Sequence, residues 1–382
     1  MARIVYALSG QGRGHTSRVM AVSDELRARG HEIVFCCGGI ARDILEAQGE
    51  TVIPVPTLRQ IIDGNEIQIL QTIRRNWEYV VHCDGIVTAL TDALTGIAPD
   101  LVITDFEAFS HRAADRLDIP VISFNHQQIV TETRYSLPLR YRVDAAITSG
   151  VIRLIAPTRP RLVLITSFFF PPLKHPSNAR LVPPIIRPRV QSLTPTRGDH
   201  ILVYYNSTDG AEHVLQTLRE VDSPFVVYNF EAPLDAGRYE NVVFKKPCLE
   251  EFMEDLASSR SVISTAGFTL TSEALFLGKP LLVVPNRGIF EQTMNALFLQ
   301  RTGLGAAVLD RPLTPTDINA FVGRQKSYED KLLDRNSCGN KEAIACIENV
   351  LSSCSPSIHQ RPASPYNSLA DTAALQSVES VK

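Results

Sequence analysis

The stretch Ser261–Gly305, SVISTAGFTLTSEALFLGKPLLVVPNRGIFEQTMNALFLQRTGLG, constrains the fold of this chain more than any other. Val262-Ile263 and Leu281-Leu282-Val283-Val284 are short apolar runs of the kind buried in parallel sheets. Between them Leu270, Ala274, Leu275 and Leu277 recur at helical spacing, and Gly278 stands where a helix ends. The chemistry lies at the joints. Ala266-Gly267-Phe268-Thr269 leaves the first strand and opens the helix, where close-approaching N–H groups and the helix dipole favour an anion such as a pyrophosphate. Glu273, a turn into the helix, offers two acceptor oxygens that suit a ribose diol. Glu291-Gln292 opens the following helix and can bond hydroxyls of whatever the phosphate carries. The plainer reading makes Glu273 a solvated helix residue and Glu291-Gln292 a first-turn pair favoured by the dipole.

The pattern G-x-x-x-x-x-E-A-L-x-x-G-K-P-L-L-x-V-P, continued by E-Q, N-A and G, resembles the nucleotide-sugar signature of GT-B glycosyltransferases. The resemblance points to the branch holding bacterial lipid-linked N-acetylglucosaminyltransferases and small-molecule UDP-glycosyltransferases. It implies an α/β fold of two Rossmann-like domains with parallel sheets facing across a cleft. It also implies that Glu273 holds the donor ribose, that Glu291 and Gln292 hold the donor sugar, and that Gly267, Phe268 and Thr269 face the phosphates. Many small-molecule members carry a His two residues before the glycine. Thr265 stands there, so phosphate contacts must lean on backbone and hydroxyls.

A chain of 382 residues is too long for one ordinary core and suits two domains. A net charge of −3, with no basic run interleaved with aromatics, argues against a general nucleic-acid binder. The seven Cys form no C-x-x-C pair, and adjacent Cys36 and Cys37 read as buried small hydrophobes in a reducing compartment. A strand starts at once after Met1 without a signal peptide, and no apolar run reaches the roughly eighteen to twenty residues of a membrane span. The expectation is a cytoplasmic protein, free or on a membrane surface.

Arg3–Leu8 reads as a strand, Ser9-Gly10-Gln11-Gly12-Arg13-Gly14-His15 as a glycine-rich turn into a helix, and His31–Cys37 as the next strand. The G-x-G-x-G spacing and the missing acid after the second strand argue against a dinucleotide site. His15 sits at a helix N-terminus beyond a strand's carboxyl end, where ligands of open α/β sheets collect. Neighbouring N–H dipoles favour a neutral imidazole able to take a proton near pH 7. Asp105, ending the run Asp100–Thr104, is expected at the same sheet edge, where it would fix the tautomer of His15. The alternatives are a helix N-cap for Asp105 and a loop-shaping turn residue for His15. In small-molecule UDP-glycosyltransferases a first-turn His deprotonates the acceptor and a later Asp orients it, and His15 and Asp105 match in order and context. The resemblance puts Gly12, Arg13 and Gly14 on the acceptor side. Asn125, His126 and Gln127 are candidates for acceptor contacts, with a satisfied internal network as the alternative. Thr57–Ala98 shows helical periodicity in Ile67, Leu70, Ile73, Trp77, Val80 and Val81, which suits acceptor-side helices with Trp77 in packing.

Between Thr131 and Val190 the chain is strongly basic, with Arg134, Arg140, Arg142 and Arg153 among ten basic residues against Glu132 and Asp144. A basic surface beside exposed aromatics at Phe168-Phe169-Phe170 would favour an anionic membrane or a phosphorylated lipid acceptor, but the plainer reading is preferred. The plainer alternative is a buried strand at Leu162–Phe169 with solvated arginines. Prolines at 183, 184 and 188 predict an extended, semi-rigid linker. The expected domains are therefore residues 1–185 for the acceptor and 200–352 for the nucleotide sugar, joined by a linker over 186–199. A disordered tail over 353–382 completes the chain. Asn206, after the strand at Ile201–Tyr205, is expected near the donor phosphates, and Phe244 is expected to wall the base.

The combined expectation is a glycosyltransferase that needs no cofactor or metal and moves a hexosyl group from a nucleotide-diphosphate sugar to an acceptor hydroxyl with inversion. A non-hydrolysing nucleotide-sugar epimerase and a non-catalytic nucleotide-sugar-binding protein are the rivals. An epimerase needs further carboxylates that the sequence does not place.

Overall fold

The computed structural model describes residues 1–11, 13–59, 61–63, 66–205, 211–230, 239–333 and 337–354. The chain divides into two compact units. One comprises Met1–Gln60, Ile69–Ile185 and the chain from Gly339 onward, and the other Ile61–Gln68 with Ile186–Cys338.

The chain opens with β1 (Arg3–Leu8), α1 (Arg13–Ala28), β2 (Glu32–Cys37), α2 (Gly39–Ala47) and β3 (Val52–Pro54). A small antiparallel pair, β4 (Ile62–Asp63) and β5 (Glu66–Ile67), precedes α3 (Ile69–Val81) and α4 (Cys83–Ile97). Then come β6 (Leu101–Asp105), α5 (Ser110–Arg116), β7 (Val121–Asn125), α6 (Ile129–Glu132), α7 (Arg142–Ile155), β8 (Leu162–Thr166) and β9 (Ala179–Val182). Seven strands form one sheet in the order β3-β2-β1-β6-β7-β8-β9, parallel throughout. Its inner strands are largely apolar and buried because both faces of the sheet are covered. Ile4, Tyr6 and Leu8 enter one core with Val19, Val22 and Leu26 of α1. Val5 and Ala7 enter the opposite core with Ile86, Leu90 and Leu94 of α4.

The second unit begins with α8 (Pro188–Gln191), β10 (Ile201–Tyr204), α9 (Ala211–Arg219), β11 (Phe225–Tyr228), β12 (Val242–Lys245) and α10 (Leu249–Ser258). It continues through β13 (Ser261–Ser264), α11 (Phe268–Phe276), β14 (Leu281–Val283), α12 (Phe290–Thr302), β15 (Gly305–Ala307), α13 (Pro315–Gly323) and α14 (Gln325–Leu332). Six strands lie in the order β12-β11-β10-β13-β14-β15, again all parallel. In both sheets the strand order reverses once, at β1/β6 and at β10/β13. Those are the points where open α/β sheets leave a crevice for ligands.

Three expectations change. The sequence reading ends the second unit at residue 352, whereas α15 (Asn340–Ser353) returns to the first. Its Ala343, Ile344, Ile347 and Val350 fill the same core as α1. The linker is not extended throughout, because Pro188 stands at the first position of α8, where its fixed φ and missing N–H suit a helix start. Trp77 is 59% exposed and packs in no core. The expected tail over 353–382 lies outside the described residues beyond Cys354.

Candidate active site

Two clusters stand at the two switch points, one in each unit. In the first, strand register does the assembly. Leu8 pairs with Asp105 across β1 and β6, and the Ser9 N–H donates to the Asp105 carbonyl at 3.0 Å. Helix α1 starts a few residues beyond Leu8, so its first turn returns over the end of β6. Gly10 makes this turn possible, because a Cβ there would lie 2.2 Å from the Gly38 carbonyl oxygen.

His15 Nδ1 lies 3.0 Å from Asp105 Oδ1. Arg18 Nη2, which can only donate, lies 3.2 Å from the same nitrogen, so Nδ1 faces both an acceptor and a donor, and Nε2 is the ring's second nitrogen. Gln127 Nε2 approaches that second nitrogen at 3.5 Å. The Asp105 side chain is fully buried and is held by Arg18, whose Nη2 stands 2.6 Å from both carboxylate oxygens. Burial alone would raise the Asp105 pKa, but the Arg18 guanidinium, and then His15, hold it below the usual carboxylate range. Arg18 was not among the sequence-predicted residues. Its only signal is its place one helical turn after His15, which puts both on one face of α1.

The helix-cap alternative for Asp105 is answered by its neighbour. Glu107 accepts from the N–H groups of Phe109 at 2.8 Å and Ser110 at 2.7 Å, which serves the start of α5. Between the two acids, Phe106 takes a left-handed φ of 60°. His126, expected on the acceptor side, is buried. It is 0% exposed, and its Nδ1 pairs with the Thr166 carbonyl at 2.8 Å. Asn125 likewise bonds inward, to Ser123 and Gln128. Gly14 is half-buried in the first turn of α1, whereas Gly12 and the Arg13 side chain lie outside the described residues.

The second cluster surrounds the start of α11. Gly267 is the N-cap residue, and Thr265 and Phe268 are buried, with Thr269 half-buried. Ala266 adopts φ 62°, a left-handed conformation that costs an L-residue about 1–2 kcal/mol. Asn295 Nδ2 of α12 holds it by donating to its carbonyl at 3.1 Å. Residues kept in such strain cluster at ligand sites. The Ser264, Thr271 and Ser272 hydroxyls beside this turn are buried without a hydrogen-bond partner.

Glu273 is 1% exposed, not the solvated residue of the plainer reading. Arg187 grips it with Nε to Oε1 at 2.5 Å and Nη2 to Oε2 at 2.6 Å. Gln292 is buried and spends its carbonyl oxygen on the Asn286 N–H at 2.9 Å, which shapes the loop after β14, while Glu291 is half-buried. Phe244 packs edge-on to Tyr239 at the rim of the core. Asn206 lies outside the described residues. Lys279 of the same signature proves to be a strut: it donates to the carbonyls of Thr196 and Ser259, and burial lowers its pKa to about 8. Among the described residues no group of three or more His, Cys, Asp or Glu is placed to hold a metal ion.

Comparisons with known proteins agree with this architecture. A family model described as Glycosyl transferase family 1 matches residues 2–325. An uncharacterized glycosyltransferase of Methanosarcina mazei is 24% identical over 355 residues, 86% of this chain and 92% of that protein. A Clostridioides difficile UDP-N-acetylglucosamine--N-acetylmuramyl-(pentapeptide) pyrophosphoryl-undecaprenol N-acetylglucosamine transferase is 34% identical over 115 residues, 28% of this chain and 27% of that protein. The crystal structure of the calicheamicin glycosyltransferase CalG4 superposes with a TM-score of 0.65 at 20% identity, covering 93% of this chain and all of that one. The likeness shows a GT-B fold.

Proposed function

Because the chain belongs to glycosyl transferase family 1 and is a glycosyltransferase, we propose that it moves a hexosyl group from a nucleotide-diphosphate sugar, UDP-linked, to an acceptor hydroxyl with inversion. His15 Nε2 takes the acceptor proton as the hydroxyl oxygen bonds to the anomeric carbon. The bond from that carbon to the diphosphate oxygen breaks, and the nucleotide diphosphate leaves. Asp105 keeps the His15 tautomer and faces the imidazolium that forms. Main-chain N–H groups at Gly267–Thr269 meet the charge growing on the departing diphosphate, and Glu273 accepts from the donor ribose.

The observation that carries this reading is the 3.0 Å contact between His15 Nδ1 and the buried Asp105 carboxylate, which in the tautomer with the proton on Nδ1 leaves Nε2 to take the acceptor's proton. Thermal-shift measurements across a panel of nucleotide sugars test the donor, since a ligand of the folded state raises its melting temperature. UDP-sugars are expected to raise it most. A panel with no shift for any nucleotide sugar would contradict the proposal.

A lipid-linked acceptor at a membrane surface is the second reading, and one observation favours it. Helix α7 is apolar on both sides. Ala145, Ile152 and Ile155 face the core, while Val143 (67% exposed), Ile147, Val151 and Leu154 (65%) face solvent. Exposed Arg140, Arg142 and Arg153 flank that outer stripe. Leu70, Ile73, Trp77, Val80 and Val81 of α3 are exposed in the same unit. Apolar faces rimmed by arginine suit an anionic bilayer. No single helix among the described residues is long and apolar enough to cross one.

A further inference from the structure

We propose that Arg187 is a positioning residue for the donor, clamping the Glu273 carboxylate in the one orientation that accepts a ribose diol. This rests on the reading of Glu273 as the ribose ligand. Arg187 belongs to the linker, as the N-cap residue of α8 two positions after the first unit ends at Ile185. Its fork makes two parallel bonds to both Glu273 oxygens, and the pair is nearly dry, with Glu273 1% and Arg187 15% exposed at their side chains.

A fork-on-fork pair fixes the plane of the carboxylate as well as its place. Two oxygens offer about four lone-pair sites, so two N–H bonds leave acceptors for the 2′- and 3′-hydroxyls of a ribose. A carboxylate this buried is costly to leave unpaired, so without Arg187 it would turn away from this place. Lysine would return the charge without the planar fork.

The pair also ties the donor seat to the linker. Just beyond the far end of α11, Lys279 holds the Thr196 carbonyl, and the Thr196 and Gly198 N–H groups donate to the Ala257 and Ser258 carbonyls. Charged side chains in or beside α11 therefore grip the linker near both of its ends, and Arg187 is the grip that reaches the donor.

Calorimetric titration of the full chain with UDP and with 2′-deoxy-UDP tests the proposal on wild type, R187Q, R187K, E273Q and R187Q/E273Q. Wild type is expected to prefer UDP by about tenfold or more, the scale of one hydrogen bond to a charged group. R187Q should lose most of that preference, R187K should recover only part of it, and the double variant should bind no more weakly than E273Q. A merely structural role for Arg187 would weaken both nucleotides alike. An unchanged ratio in R187Q, or losses that add in the double variant, overturns the role of Arg187 alone. Wild type that binds neither nucleotide overturns the donor reading and this proposal with it.

Discussion

His15 and Asp105, ninety residues apart in the chain, meet at 3.0 Å because Leu8 and Asp105 stand side by side in neighbouring parallel strands. The helix after β1 then has one way to return, over the end of β6. A turn residue and a strand end thereby become neighbours, with Arg18 Nη2 beside both of them.

Replacing His15 with Ala should lower kcat by about 10²- to 10⁴-fold, the usual contribution of a general base, while donor affinity changes little. Steady-state kinetics beside donor titration check this. Comparable loss in both would assign His15 to donor binding instead.

Arg18→Met removes the guanidinium from a buried pair and leaves the Asp105 carboxylate with its His15 contact but without its full positive partner. The expected loss is about 3–5 kcal/mol of stability. Combining it with Asp105→Asn should return part of that loss, because no charge is then stranded. Urea denaturation of the three variants measures it, and simple additivity would contradict the coupling.

These contacts show what was legible in the sequence. The apolar runs of β1, β6, β10 and β13 could be read directly, since strands covered on both faces carry no polar alternation. The order of His15 and Asp105 was readable for the same reason: both follow such runs. Arg18 was not, because an arginine on a helix is ordinarily solvated and its partner is remote in sequence. Arg187 was hidden in the same way within a proline-rich crossing. Helix α15 fell within the 200–352 expected for the second unit, because its sequence does not say which core its apolar residues join. Periodicity likewise marked the apolar face of α3 but not the direction in which Trp77 points.

His111 lies buried in α5, and burial, with Arg112 beside it, lowers its pKa from 6.5 to about 4. Below pH 6.5 the unfolded chain takes up this proton and the folded one does not, so stability should fall as pH drops from about 6.5 to 4. The full effect is about 3 kcal/mol. Denaturation of wild type against His111→Leu across that range measures it. The variant should lack this share of the slope, and parallel curves would contradict the assignment.

On α7, Leu154→Glu places a carboxylate at the C-terminal end of the exposed apolar stripe. Sedimentation with vesicles containing anionic lipid should show wild type pelleting and the variant remaining in solution, with pelleting weakened by salt. Wild type that stays in solution would remove the membrane reading and leave the glycosyltransferase assignment standing.

The central claim is that the bare turn at Gly267 and the first turns of α11 receive the donor diphosphate. Hydrogen–deuterium exchange of the full chain with and without UDP tests it most directly. The account predicts slower exchange at the amides of residues 266–273 on UDP binding. Bound UDP that leaves those amides unprotected while slowing exchange elsewhere would contradict it.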